Sequence, residues 1–244
     1  MKTEGRNAVI ELLKTGKPIE KILIEKGDKG NAPQGSLSLI FAQARKKDIR
    51  VQFVDKRALD KMSETRRHQG VIAFTTEYEY FDLDDIIAEK KSEKGGFIVL
   101  CDGIEDPHNL GAIIRTAECS GVHGVIIPKR RAVGLTSTVA KSSAGALSHM
   151  RIAKVTNLAV TLDELKERGL WAYAADMDGT DYRSTDMRGG AVIVLGSEGF
   201  GISRLVKEKC DFVVSIKMYG QVNSMNVSCA AAVILTEAAH QRNN

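Results

Sequence analysis

Three observations predict an α/β fold in two parts. Short apolar, β-branched runs alternate with segments of helical periodicity along most of the 244 residues. In the second half, several of these runs end in a polar or Gly-containing turn that leads into a helix, the pattern of a mainly parallel sheet covered on both faces. A charged, Gly-ended stretch between residues 76 and 96 reads as a linker, dividing the chain into a small unit, 1–75, and a larger one, 97–244.

Composition narrows the function classes. The formal charge is +4 and the pI about 8.8, a mildly basic balance compatible with nucleic acid. Aromatic residues make up only 5%, which argues against broad base-stacking platforms. No apolar run approaches the roughly 20 residues that span a bilayer. The opening residues, MKTEGRNAV, carry no signal-peptide core, so a cytoplasmic protein is expected. The four cysteines, Cys101, Cys119, Cys210 and Cys229, are scattered with no C-x-x-C pair. They are expected to be reduced, mostly packed thiols, with no metal site and no disulfide framework.

The first unit begins with a helix over residues 4–14, with Val9, Leu12 and Leu13 on one face. A strand follows at Lys21–Ile24, then a Gly- and Pro-containing loop. Ser36–Lys47 reads as a helix, Ile49–Val54 as a strand, Ala58–Met62 as a helical turn or two, and Val71–Phe74 as a strand. Before that strand, Arg66-Arg67-His68-Gln69-Gly70 places two fixed positive charges and a histidine beside a glycine. The loop suits phosphate contacts, which position nucleic acid without reading its sequence, and it equally suits a solvated surface. Arg6 and Asn7, near a helix start, are further RNA candidates. In the linker, Asp82 is placed to cap a short helix and Lys90–Gly96 is a solvated charge run.

The second unit starts with a buried strand, Phe97–Cys101. Further strands are expected at 124–127, 152–155, 170–175, 191–195 and 212–216, and helices at 110–120, 136–147, 157–168 and 202–209. The last helix is expected from Met225 to Ala239, where Ala230, Ala231, Ala232, Ala238 and Ala239 suit either a dimer contact or an internal core.

Three strand-turn-helix junctions carry polar groups to the carboxyl edge of the sheet, where α/β ligand sites collect. The first runs Asp102-Gly103-Ile104-Glu105-Asp106-Pro107-His108-Asn109-Leu110-Gly111, with Arg115 six residues beyond Asn109, roughly 9 Å along a helix. An arginine in the otherwise apolar stretch 111–117 calls for an anionic partner. The second, Leu195-Gly196-Ser197-Glu198-Gly199-Phe200-Gly201, has glycines that let main chain approach a ligand. Its spacing is G-x-x-G-x-G, not the dinucleotide G-x-G-x-x-G, which disfavours a nicotinamide oxidoreductase. The third, Lys217–Ser224 followed by Met225-Asn226-Val227-Ser228, is a polar loop opening a helix, with Ser224 and Asn226 suited to cap it.

Read together, N-x-G-x-x-x-R-T-A from Asn109, L-G-S-E-G from Leu195 and G-x-x-x-S-x-N-V-S-x-A from Gly220 resemble, in order, the three motifs of the SpoU (TrmH-type) RNA 2′-O-ribose methyltransferases. Met225 stands where that family usually has leucine, an apolar exchange of similar volume. The pieces Glu4–Val9 and His68–Ala73 resemble the substrate-binding domain attached to the ribosomal-RNA members.

The resemblance implies a C-terminal α/β-knot (deep trefoil knot) catalytic domain, a homodimer formed through it, and S-adenosylmethionine as cofactor. It implies cofactor contacts at Ala175, Leu195, Gly196, Ile216, Ser224 and Met225. The catalytic set it implies is Asn109, Arg115, Glu198, Ser224 and Asn226. RNA contacts would fall at Arg6, Asn7, Arg66, Arg67 and His68. The substrate implied is a guanosine ribose of large-subunit (23S) rRNA. The alternatives are a tRNA 2′-O-methyltransferase and a non-enzymatic RNA-binding assembly factor of the same fold. Arg115 is expected to grip a phosphate rather than serve as a base, because guanidinium stays protonated. Glu198 is expected to hold Arg115 or Asn226.

Overall fold

The computed structural model describes residues 2–15, 19–27, 34–75, 78–88 and 95–244. The chain forms two compact units, Met1–Glu79 and Tyr80–Asn244.

The first unit is an open four-stranded sheet in the order β1-β4-β2-β3. The strands are β1 (Lys2–Glu4), β2 (Ile19–Glu25), β3 (Arg50–Val54) and β4 (Val71–Thr75), and the helices α1 (Arg6–Lys14), α2 (Ser36–Lys46) and α3 (Lys56–Met62). β2 pairs β3 in parallel, whereas β4 is antiparallel to both β1 and β2. Alternation along β2 and β4 sends Ile22, Ile24, Val71 and Ala73 to one face, under Val9, Leu13 and Ile40 of α1 and α2. Leu23 and Ile72 go to the other face, with Leu59 of α3. β1 has no apolar pattern, and its pairing with β4 is a tertiary effect that sequence alone does not announce.

The second unit has a six-stranded, wholly parallel sheet in the order β10-β8-β9-β5-β6-β7. The strands are β5 (Phe97–Asp102), β6 (Gly124–Pro128), β7 (Ile152–Val155), β8 (Trp171–Asp181), β9 (Ala191–Gly196) and β10 (Phe212–Ser215). The helices are α4 (Leu83–Ala88), α5 (Pro107–Cys119), α6 (Ser137–Ser142), α7 (Leu158–Glu167), α8 (Arg204–Lys209) and α9 (Val227–Asn243). The central strands β5 and β9 are buried on both faces, as their continuous apolar runs require.

Besides β1, three elements depart from the sequence reading. Residues 80–88 belong to the second unit and are not linker. Phe81 bridges Ala153 beside β7, and Ile86 and Ile87 of α4 enter the core. Gly124 leaves room for Ile86, since a Cβ there would lie 2.6 Å from its Cγ2. The Asp82 amide donates to Asp85 Oδ2 at the start of α4. Of the other residues of the expected linker, 76–77 and 89–94 lie outside the described residues.

The helix expected over 136–147 breaks after Ser142. Ala144 and Gly145 take positive φ, and a 3-10 turn over Ala146–Ser148 follows. β8 runs six residues past Ala175 with a jump in register: Val213 pairs Ala174, but Val214 pairs Thr180. All four cysteines are free, and only Cys101 is buried, whereas Cys119 and Cys229 are exposed. Among the described residues, no helix is long and apolar enough to cross a membrane.

Candidate active site

The three junctions meet at the carboxyl ends of β5 and β9 and the start of α9. Asp106 caps α5 by accepting from the His108 amide at 3.0 Å, and Pro107 opens the helix with a preset φ. This puts Asn109 in the first turn, 6% exposed. The second junction is a tight loop. The Ser197 amide donates to Gly201 O at 3.0 Å, and the Gly201 amide donates back to Ser197 O at 2.9 Å. Gly196 is obligatory for this closure, because a Cβ there would stand 2.2 Å from Gly201 C and 2.3 Å from Ile202 N. The loop hangs from β5 through the Ser203 amide, which donates to Asp102 Oδ2 at 2.7 Å.

At the third junction Asn226 does two jobs. Its Oδ1 caps α9, accepting from Ser228 N at 2.9 Å, Ser228 Oγ at 2.6 Å and Cys229 N at 3.3 Å. Its Nδ2 donates to Asn109 Oδ1 at 2.9 Å and to Glu198 Oε1 at 2.5 Å. Asn109 Nδ2 completes the triangle with a 3.1 Å bond to the same Glu198 oxygen. Three residues far apart in sequence thus form one closed hydrogen-bond cluster, with a carboxylate as its common acceptor.

Two cavities flank this cluster and share the wall 197–201 and Val227. One, of about 380 Å³, is bounded by the ends of β8, β9 and β10 and by α9. Ala175, Leu195, Gly196, Ile216, Ser224 and Met225 all line it, so the six residues matched to cofactor contacts are brought together. Asp176, Met177, Met218 and Ala230 line it as well and were missed from sequence. For Asp176, Met177 and Met218 the signal was position just beyond a strand end, and for Ala230 it was the final position of the third motif. Burial works to raise the Asp176 carboxyl, but the 2.8 Å ion pair with Lys207 and the Met177 amide outweigh it and hold the group below its usual range.

The other cavity, of about 650 Å³, is lined by Asn109, Glu198, Asp102, Glu105, Asp106 and Arg131, among others. Arg131 was not singled out from sequence. Arg115 stands apart: it is exposed on α5, lines neither cavity, and no hydrogen bond or ion pair reaches it from the described residues. Glu198 therefore holds Asn109 and Asn226, not Arg115. Of the alanines of α9, Ala231 and Ala238 are core, and Ala230 lines the smaller cavity.

In the first unit, Arg66 and Arg67 are exposed, and Arg66 has a φ of 56°. Their loop is built on Glu4, whose carboxylate accepts from Ser63 Oγ, Glu64 N, Thr65 N and Thr65 Oγ1. Burial works to raise this carboxyl, but those bonds prevail and bring it down to about 2. His68, expected as an RNA contact, is buried and hydrogen-bonded within the first unit. It is 4% exposed, with Nε2 3.0 Å from Asp60 Oδ1 and Nδ1 accepting from the Gly70 amide at 3.0 Å. Both ring nitrogens are spent on the fold. Arg6 is largely spent too: Nε donates to Gln69 O at 2.8 Å and Nη1 to Ser36 Oγ at 3.3 Å. Asn7 remains exposed.

Residues 96–236 match the model of the SpoU rRNA Methylase family. The chain belongs to the SpoU family. Residues 3–81 match a second model, described as RNA 2′-O ribose methyltransferase substrate binding. The TrmH-family protein YacO of Bacillus subtilis (strain 168) is 48% identical over 98% of this chain and 95% of its own length, and its name leaves tRNA and rRNA side by side. The SpoU methyltransferase AviRb from Streptomyces viridochromogenes, solved in complex with AdoMet, superposes with a TM-score of 0.63 at 25% identity, covering all of this chain and 90% of that one. A TrmH/SpoU tRNA modifying enzyme from A. aeolicus is 30% identical, with a TM-score of 0.56, over 65% of this chain and 80% of its own. The SpoU match spans all three junctions, and the substrate-binding match spans the Arg66–Arg67 loop.

Proposed function

We propose that this SpoU-family protein uses S-adenosylmethionine to methylate a ribose 2′-oxygen, on a guanosine of large-subunit (23S) rRNA, in the cytoplasm. The observation that carries the reading is the Asn109–Glu198–Asn226 cluster standing between two adjoining cavities.

The smaller cavity fits the cofactor. Leu195, Val214, Ile216, Met218, Met225 and Ile234 give it apolar walls for an adenine, and the strand ends supply main-chain groups for hydrogen bonds. Glu198 adds negative charge to the wall, which suits a cationic ligand, while the Asp176 carboxylate is paired with Lys207. S-adenosylmethionine, when bound, supplies a methyl group on a positively charged sulfonium. Gly196 keeps the Ser197–Gly201 loop close to β9, and Ser224 lines the cavity beside Met225.

The larger cavity takes the nucleotide. Glu198 fixes the Asn109 and Asn226 amides so that a ribose entering beside them meets oriented donors and acceptors, not rotating side chains. Arg115 contributes a fixed positive charge on the exposed side of α5, where it engages the RNA backbone. In the first unit, Arg66, Arg67 and Asn7 meet RNA phosphates, while Arg6 and His68 shape the surface that carries them.

A homodimer through the second unit belongs to the same reading. Tyr219 and Val222, 86% and 73% exposed on the loop before α9, support a surface that another molecule covers. An α/β-knot threaded by the segment 216–226 belongs to the same reading, and the packing of α9 on α5 supports it.

The test is transfer of labelled methyl to two pools, large-subunit rRNA lacking the modification and total unmodified tRNA, with nucleosides identified after digestion. Label in a 2′-O-methylguanosine from the rRNA pool alone is the expected result. Label in tRNA overturns the substrate. No label in either pool, with cofactor bound, overturns the enzyme reading in favour of an RNA-binding assembly factor.

A further inference from the structure

We propose that Arg131 grips the phosphodiester next to the ribose that is methylated, an inference that rests on the larger cavity being the nucleotide site. Among the described residues Arg131 is the only cation that lines this cavity, whose other charged liners are Asp102, Glu105, Asp106 and Glu198. A polyanion is repelled by such a wall everywhere except beside the arginine. Three of the four carboxylates are already committed to the chain. Asp102 accepts from Ser203 N, Asp106 from His108 N, and Glu198 from Asn109 and Asn226. None of them forms an ion pair with Arg131 among the described residues, so a guanidinium with five donors stands exposed at the cavity with its charge uncancelled.

The backbone adds a second argument. Arg131 has a φ of 57°, in the left-handed region that non-glycine residues seldom occupy. The turn that imposes it is pinned on both sides. The Lys129 amide donates to Val155 O at 2.8 Å, and the Val133 amide donates to Ile104 O at 2.9 Å. Arg131 O lies against Gly103, 3.8 Å from where a Cβ would stand. The loop after β6 is thereby fastened to the junction that carries Asn109. Conformational strain held by surrounding bonds at a cavity mouth points to a placed side chain. The division of labour follows from charge. Ribose hydroxyls, which donate, go to the carboxylate side. The phosphate, which only accepts, goes to Arg131.

The experiment compares wild type, Arg131→Gly and Arg131→Lys as full-length protein. Glycine suits the positive φ and removes the side chain without disturbing the turn. Binding of unmodified large-subunit rRNA is followed by fluorescence anisotropy from 50 to 300 mM KCl, and S-adenosylmethionine binding by calorimetry. The expected result for Arg131→Gly is RNA affinity lowered about tenfold and a salt slope reduced by about 1, with cofactor affinity unchanged. Arg131→Lys restores the slope but only part of the affinity, because the bidentate contact is lost. Wild-type affinity and slope in Arg131→Gly, with cofactor binding intact, overturn the proposal. These readouts need no catalysis. Absence of methyl transfer by wild type therefore condemns the enzyme reading alone, and the salt slope still decides on Arg131.

Discussion

Asn226 can be asked which of its two jobs matters, because two substitutions separate them. Asn226→Ala removes both the cap on α9 and the donor to Glu198 and Asn109. Loss of the cap costs about 1 kcal/mol. Asn226→Asp keeps the cap, since a carboxylate oxygen accepts from Ser228 and Cys229 as well as an amide oxygen does, and it gains about 0.5 kcal/mol from the helix dipole. It also sets a second carboxylate where Nδ2 now lies 2.5 Å from Glu198 Oε1. Two unit charges about 3 Å apart repel by roughly 5 kcal/mol at an effective dielectric of 20. Both side chains are exposed, so solvent and salt leave about 1–2 kcal/mol of that.

For a unit of this size each kcal/mol moves the melting temperature by about 2–4 °C. The sign with pH follows. The introduced carboxyl has its folded pKa raised above the unfolded value of about 3.9, so the penalty is full at high pH and disappears as pH falls through the raised value. A proton between the two carboxyls then replaces the lost N–H bond. Thermal unfolding by circular dichroism from pH 8 to pH 5 is expected to show a constant deficit for Asn226→Ala. For Asn226→Asp the deficit should be about 2–8 °C at pH 8 and should shrink on acidification. A curve for Asn226→Asp parallel to wild type over this range would refute the reasoning.

Glu4→Gln replaces a four-fold acceptor by an amide that offers the Ser63–Thr65 loop one acceptor and an unwanted donor, at a cost to the first unit of about 2 kcal/mol near pH 7. The wild-type carboxyl titrates at about 2 and not at its ordinary 4.5. Its contribution is therefore present above 4.5 and lost as pH falls towards 2, and the gap between the two proteins in urea unfolding should narrow at pH 3; a gap that stays constant from pH 7 to pH 3 rules the account out. Gly196→Ala drives a methyl group into the main chain of Gly201 and Ile202, which costs about 3 kcal/mol and displaces the Ser197–Gly201 loop. Calorimetry should show S-adenosylmethionine affinity falling more than tenfold while the first unit melts unchanged; retained affinity would show that the loop adapts.

Much of this site was legible because strand, turn and helix follow each other in the same way three times. Leu195, Gly196, Asn109 and Asn226 sit where such junctions put residues in any parallel sheet, and the structure closes them on one another. What was not legible depended on partners distant in sequence. His68 beside two arginines and a glycine looks like a surface loop, and nothing local announces that Asp60 and the Gly70 amide will occupy its ring. Ile86 and Ile87 are two apolar residues within a run of charge, and their burial depends on the space left at Gly124. The extension of β8 through Asp176-Met177-Asp178-Gly179 carries no strand pattern and is drawn out by its neighbours. The six residues between Asn109 and Arg115 already set the two apart along a helix, and the structure has Arg115 lining neither cavity, with Glu198 bonded to Asn109 and Asn226 instead.

The jump in register of β8 has a consequence for how selectively the smaller cavity can be altered. The β8–β9 ladder ends at the pair Ala174–Val194, while β9 continues through Leu195 and Gly196 with a strand neighbour only on the β5 side. On the β8 side the peptide groups of Leu195 and Gly196 therefore have no ladder partner, and both residues line the cavity. A molecule that pairs with peptide groups is read by parts of the chain that every amino acid shares. Inhibitors that copy this pairing would be hard to exclude by substitution at Gly196, where an added Cβ would strike main chain at 2.2 Å and disturb the protein itself.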